Sequence, residues 1–497
     1  MNAPTRPPAG IFDSRLLLRW PFPFAATFTW GVALLLLVAS GMAILEFRSQ
    51  KYLVALIVAA VGAAALLVIP HKQYFLVLAL GFSLPYHVKL VLVERDVLLA
   101  ITGTFLLALS LGLVCLANGH VRKKGIMLVP AISVPTLFLM TAGFMSFVNT
   151  TDKTDTLIAL AQDTEMFLLF LVLVNAIRDE MYLMAFLRGL FLGFAVQCGI
   201  YVIQNILGIS FEVVGNAQYV GSTDLSAGRI VSHEGTLGGA PATAALYFSI
   251  LTILLMGAYL CRGRLAIRLN PVLGMAMGAG CLLLSAKRAP LAGFLMGMAL
   301  MGLLIVRHSA LSIKRLFRIL AVVAIPFLIF LPVLFLRLEA NHEEAYDERM
   351  NLTQVAWNMF DAHPLFGVGL GTYDGVMTHY LPEDWAGWLY KVHNGYLIIL
   401  AETGIVGMSA FALLFVMILL TTYRGFQVID PIYRPMQIAL LSCLVAILWE
   451  YLWDVFDNRT QEYITWFLVA LSVILPRVLA KTAPSEMLLS RESELRA

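Results

Sequence analysis

A histidine and an asparagine, His393-Asn394, stand where a polar stretch gives way to an apolar run that contains Gly404 and Gly407. A helix beginning there would set the imidazole at its N-terminus, where the helix dipole disfavours imidazolium. A neutral imidazole at a membrane boundary can remove a proton from a hydroxyl, and the same position also suits a helix cap or an interfacial anchor. Ser285-Ala286-Lys287-Arg288-Ala289-Pro290 is a tight corner between two apolar runs. Arg288, with Lys287 beside it, can hold an anion there, the guanidinium fork matching a phosphate. It can equally snorkel to lipid phosphates. Arg349 opens an amphipathic segment and can face the same anion or pair with Asp347 or Glu348. Arg229 and His233 form a further cluster in Gly228–Gly235. Asp454, one turn after Glu450, is an acid near the end of an apolar run, where an uncompensated charge is expensive; it can orient a base or pair with an arginine.

Other patterns exclude chemistry. The run Gly367-Val368-Gly369-Leu370-Gly371 offers amides that can wrap a phosphate, but it lacks the Lys-Ser/Thr ending of a nucleotide-binding loop and reads as turns that shape a site. The acidic run Glu343–Glu348 has no metal-ligand spacing, so a metal-independent, cofactor-free reaction is expected. The five cysteines fall within or at the ends of apolar stretches, without paired spacing in any polar loop. They suggest neither a disulfide framework nor a thiolate metal site.

The elements that must position these residues follow from composition. Of 497 residues, 60% are hydrophobic and 13% charged, and mean hydropathy is +0.84, values that point to membrane as the solvent. The net charge of +3 is small and its basic residues lie in short clusters, so nucleic acid is not an expected partner. At about 20 apolar residues per crossing, the chain accommodates an all-α bundle of about 12–14 transmembrane helices with one large loop. The expected spans are 24–45, 52–70, 73–88, 97–117, 126–148, 157–177, 181–208, 239–261, 271–286, 289–306, 317–337, 393–421, 436–456 and 462–479. The organisation is then a tail at 1–23, a first bundle segment at 24–337, the polar loop at 338–392, a last bundle segment at 393–479 and a tail at 480–497. Positive-inside bias in Arg122-Lys123-Lys124, Arg262/Arg264/Arg268, Arg307/Lys314/Arg315/Arg318 and Arg424/Arg434 puts both termini in the cytoplasm and the loop outside, in a bacterium the periplasm. Within the loop, Leu352, Val355, Ala356 and Met359 recur at helical spacing, and Asp361 and Pro364 should stop that helix. Trp385, Trp388 and Tyr390 suit the headgroup interface. Gly274-x-x-x-Gly278 and Gly293-x-x-x-Gly297 would let their two neighbouring helices approach closely.

Together these segments resemble the O-antigen ligase and Wzy-type polymerase superfamily of membrane glycosyltransferases. The likeness lies in Arg349, Trp357, His363-Pro364-Leu365-Phe366-Gly367-Val368-Gly369-Leu370-Gly371-Thr372-Tyr373, then His393-Asn394-Gly395-Tyr396 and Glu402-Thr403-Gly404, and it covers roughly residues 285–410. The resemblance implies an inner-membrane enzyme that transfers glycan from an undecaprenyl diphosphate carrier to an acceptor sugar hydroxyl, of another glycan or of lipid A core. It makes His393 the base, Arg288 and Arg349 the diphosphate ligands, Arg229 and Lys287 further contacts, and Asp454 a supporting acid. The span count leans slightly toward a polymerase over a ligase. A lipid-linked oligosaccharide flippase remains the alternative, because Asp163 and Glu165 lie within a span.

Overall fold

The computed structural model describes residues 71–86, 89–93, 99–117, 125–207, 235–237, 241–261, 270–285, 287–308, 343–382, 385, 389–455 and 458–480. The spans expected at 24–45, 52–70 and 317–337, together with Arg229, His233 and Trp388, lie outside the described residues.

The molecule is an all-α polytopic bundle. Its helices are α1 (Lys72–Ser83), α2 (Gly103–Ala117), α3 (Pro130–Met145), α4 (Lys153–Ala176), α5 (Glu180–Leu207), α6 (Pro241–Leu260), α7 (Pro271–Ser285), α8 (Arg288–His308), α9 (Glu343–Ala362), the single turn α10 (Tyr373–Val376), α11 (Gly395–Val428), α12 (Arg434–Glu450) and α13 (Arg459–Val478). Among the described residues six stretches are long and apolar enough to cross a membrane: α3 with the turn that follows it, α4, α5, α6, α8 and α11. The chain is therefore a multi-pass membrane protein. In α6, 94% of the apolar window is buried, against 33% in α8, so α6 is an interior helix while α8 turns a broad face outward. Outward faces carry Phe144, Leu303 and Val306, each at least 65% exposed, as lipid-facing helices do.

One expected span starts late. Leu99–Thr102 (β2) pairs antiparallel with Lys89–Val93 (β1), and only then does α2 begin. Val91, Val93, Ile101 and Thr102 are β-branched and favour a pleated ribbon, while the Thr102 hydroxyl accepts from Phe105 N at 3.1 Å and starts the helix. The small-residue repeats also pack elsewhere than expected. Gly278 faces Thr252 of α6 and Phe194 of α5, and Gly297 faces the Ser442 carbonyl of α12, so α7 and α8 use their repeats against other helices rather than against each other.

The helix ends sort into two groups. At one end the loop meets the end of α3 and the start of α4, through Leu370 N to Ser146 Oγ and Asn149 Nδ2 to Gly367 O, both 2.9 Å. The starts of α8 and α11 join it there, because Gly293 of α8 lies against Trp449 and Glu450 and Gly395 N donates to Tyr451 O at 2.7 Å. At the opposite end, Arg477 donates to Val174 O and Ile177 O, Arg178 to Gly125 O, and Arg434 to His308 O.

Candidate functional site

The loop is a small folded unit. In α9, Leu352, Val355, Ala356 and Met359 are at most 2% exposed, as their spacing requires, and the helix ends at Ala362 beside the expected stop signals. They pack with Val368, Tyr373, Val376, Met377 and Val392 and against Ala401 of α11. Trp385 and Tyr390, expected at the headgroup interface, pack partly buried against this core, because the loop offers them apolar surface of its own. Burial pushes the Tyr373 phenol above its ordinary range, so it stays neutral.

The loop is held to α11 by a break in that helix. Gly404 adopts φ 64° and ψ −165°, which frees main-chain groups on both sides. Val368 N donates to Ala401 O at 2.9 Å, Gly369 N to Glu402 O at 3.0 Å, and Ile405 N to Pro364 O at 2.9 Å. The Glu402 carboxylate accepts Gly371 N at 2.9 Å and Tyr373 N at 3.2 Å. A Cβ at Gly404 would collide with the Leu365 carbonyl, and one at Gly367 with the Glu402 carbonyl. Only glycine satisfies the left-handed φ and the close approach together.

His393 lies just before α11. The cap belongs to its neighbour, Asn394, whose Oδ1 accepts Leu397 N at 3.1 Å. The imidazole is thus partly buried at the positive end of the helix, its ring centroid 5.4 Å from that of Tyr390. Arg288 is the first residue of α8 and is exposed, with Lys287 half-buried beside it. Arg349 is exposed on α9. The fold gathers Arg288, His393 and the loop that carries Arg349 at one end of the bundle. Asp454, between α12 and α13, accepts Val455 N at 2.9 Å and Gln461 Nε2 at 3.4 Å, which ties the connection to the start of α13.

Beneath the loop lies a cavity of about 460 Å³, lined by α3, α4, α11 and α13. Lys391 and Gly395, on either side of His393, line it, as do Gln162, Asp163, Glu402, Tyr451, Arg459, Glu462 and Trp466. Next to it, Arg459 pairs with Glu165 and Glu462 at 2.5 Å each. The Tyr463 hydroxyl donates to Glu165 and contacts the Thr102 hydroxyl. Lys391 pairs with Asp374 at 3.1 Å. Sequence reasoning noted Asp163 and Glu165 but missed Arg459 and Glu462. The available signal was the i, i+3 Arg-Glu pair opening the last helix, because a carboxylate inside a span calls for a cation from another span.

Comparison with protein families matches residues 273–412 to the family described as O-antigen ligase. Comparison with curated proteins returns no match.

Proposed function

We propose, from the premise that the chain carries an O-antigen ligase domain over residues 273–412, that it is a membrane glycosyltransferase using a polyprenyl-diphosphate-linked glycan. The carrier is undecaprenyl diphosphate, the acceptor is a sugar hydroxyl, and the reaction inverts the anomeric carbon without a metal. His393 removes the acceptor proton. Arg288 and Arg349, with Lys287 and Arg229 as further contacts, stabilise the charge that develops on the departing diphosphate, and Asp454 supports the base side. The acceptor is a growing polysaccharide in preference to lipid A core, which makes the chain a polymerase more than a ligase.

The carrying observation is that the matched segment contains Lys287, Arg288, Arg349 and His393, whose elements meet at one end of the bundle. The concentration of Arg178, Arg434 and Arg477 at the opposite end supports an inner-membrane orientation with cytoplasmic termini and a periplasmic loop. The flippase alternative drew on intramembrane charge, and the pairing of Glu165 with Arg459 gives half of that charge a structural role.

Deletion of the gene followed by analysis of surface and carrier-linked glycans tests the reading. The expected result is loss of long surface chains with single repeat units accumulating on the carrier; accumulation of full-length polymer would make the chain a ligase, and unchanged surface glycan would overturn the proposal. His393→Ala should insert normally yet restore transfer about 10²–10⁴-fold less well than the wild type, the usual contribution of a general base.

A further inference from the structure

The cavity beneath the loop holds chemistry that the transfer step leaves unused. Among the described residues its wall contains three carboxylates, Asp163, Glu402 and Glu462, and two cations, Lys391 and Arg459. Both cations are engaged, Lys391 with Asp374 and Arg459 with Glu165 and Glu462. Counting Asp374 and Glu165 as well, five carboxylates stand against two cations. With its carboxylates ionised the site carries a net negative charge, and in that state it repels anions.

Asp163 is the informative member. It lines the cavity, feels Glu462 and Glu402 as like charges and Arg459 as an opposite one, and makes no hydrogen bond or ion pair among the described residues. A carboxylate within a span without a donor is costly, and a ligand rich in donors would satisfy it. Gln162 adds an amide that both donates and accepts. Trp466 adds a ring against which the C–H face of a pyranose can stack. The volume falls in the range of small-molecule sites.

We infer that this cavity is a subsite for one neutral or amino-substituted sugar ring of the glycan and that it discriminates against uronic and other acidic sugars. The inference rests on the glycosyl-transfer reading above, which brings a glycan to this end of the bundle. Charge then sorts the substrate: hydroxyls enter the acidic cavity, while the diphosphate is kept out of it and left to the exposed Arg288 and Arg349.

The test is saturation-transfer NMR on the full-length chain in lipid nanodiscs, with methyl glucoside, methyl glucosaminide, methyl glucuronide and inorganic pyrophosphate as probes. The first two should bind and the glucuronide should bind about tenfold more weakly or worse, a size set by like-charge repulsion. Asp163→Asn, verified as folded by its helical circular dichroism, should narrow that gap, and Trp466→Ala should weaken both favoured probes. Stronger binding of glucuronide or pyrophosphate than of glucoside, or no glycoside signal up to the solubility limit, would overturn the inference. His393→Ala separates the two proposals: it should bind glycoside as the wild type does while losing transfer. Intact His393-dependent transfer without glycoside binding would sink the subsite alone; glycoside binding without any effect of deletion on surface glycans would sink the transfer reading alone.

Discussion

Residues 363–373 are held against the break at Gly404 largely through main-chain groups, whereas Glu165, Arg459, Glu462 and Tyr463 hold one another through side chains. The first region tolerates many side chains but few backbone changes, so its signature is glycine at set positions. The second tolerates backbone variation but not the loss of one partner, so its signature is scattered over helices almost three hundred residues apart. The two proposals divide along a similar line: the residues proposed for transfer, His393 and the arginines, lie at the loop end, and the proposed sugar subsite lies by the ion pairs, with Glu402 common to the clasp and the cavity wall.

The largest blow to this contrast should come from Arg459→Ala. With side-chain exposures of 12% and 10%, the Arg459–Glu165 pair is buried, and removing one partner should cost about 3–5 kcal/mol. Denaturant or thermal unfolding in micelles would measure it, and Glu165→Gln with Arg459→Met should recover most of the loss. A single-variant cost below about 1 kcal/mol would place the pair with solvated surface bridges and erase the distinction. Next in size is Gly404→Ala, which forces an L side chain into a left-handed conformation and against Leu365, at about 1–3 kcal/mol. Limited proteolysis should then cut residues 363–373 faster; an unchanged pattern would show that the loop is held by something other than the break. Smallest is Glu402→Gln, which exchanges a carboxylate for an amide as acceptor of two loop N–H groups. Global stability should fall by about 1 kcal/mol, with hydrogen exchange accelerating at Gly371 and Tyr373 while distant amides stay unchanged. Uniform acceleration would mean that Glu402 supports the bundle rather than the clasp.

Much of the clasp could be read before folding. The period of Leu352, Val355, Ala356 and Met359 places the buried face of α9, and Gly367, Gly369 and Gly371 announce turns, all three having positive φ. The Glu402-Thr403-Gly404 motif was read as part of a functional signature, and its described contacts are structural: a carboxylate that receives loop amides and a glycine that breaks the helix. The strand pair at 89–102 was missed because a short apolar run suits a strand and a buried helix alike. Arg459 was missed because nothing near it in the chain shows which of several acids it will meet.

Local pattern thus determined that the chain crosses a membrane many times, where most described spans begin and end, and which short segments carry reactive residue types. These properties depend on hydropathy, periodicity and turn chemistry, all of which act over a few residues. Only the tertiary structure decided that α4 and α13 share Glu165 and Arg459, that Asp163 lines a cavity with Glu402, and that the starts of α8 and α11 meet at one end of the bundle. Those facts depend on which helices become neighbours, and that choice is made by packing across the whole bundle.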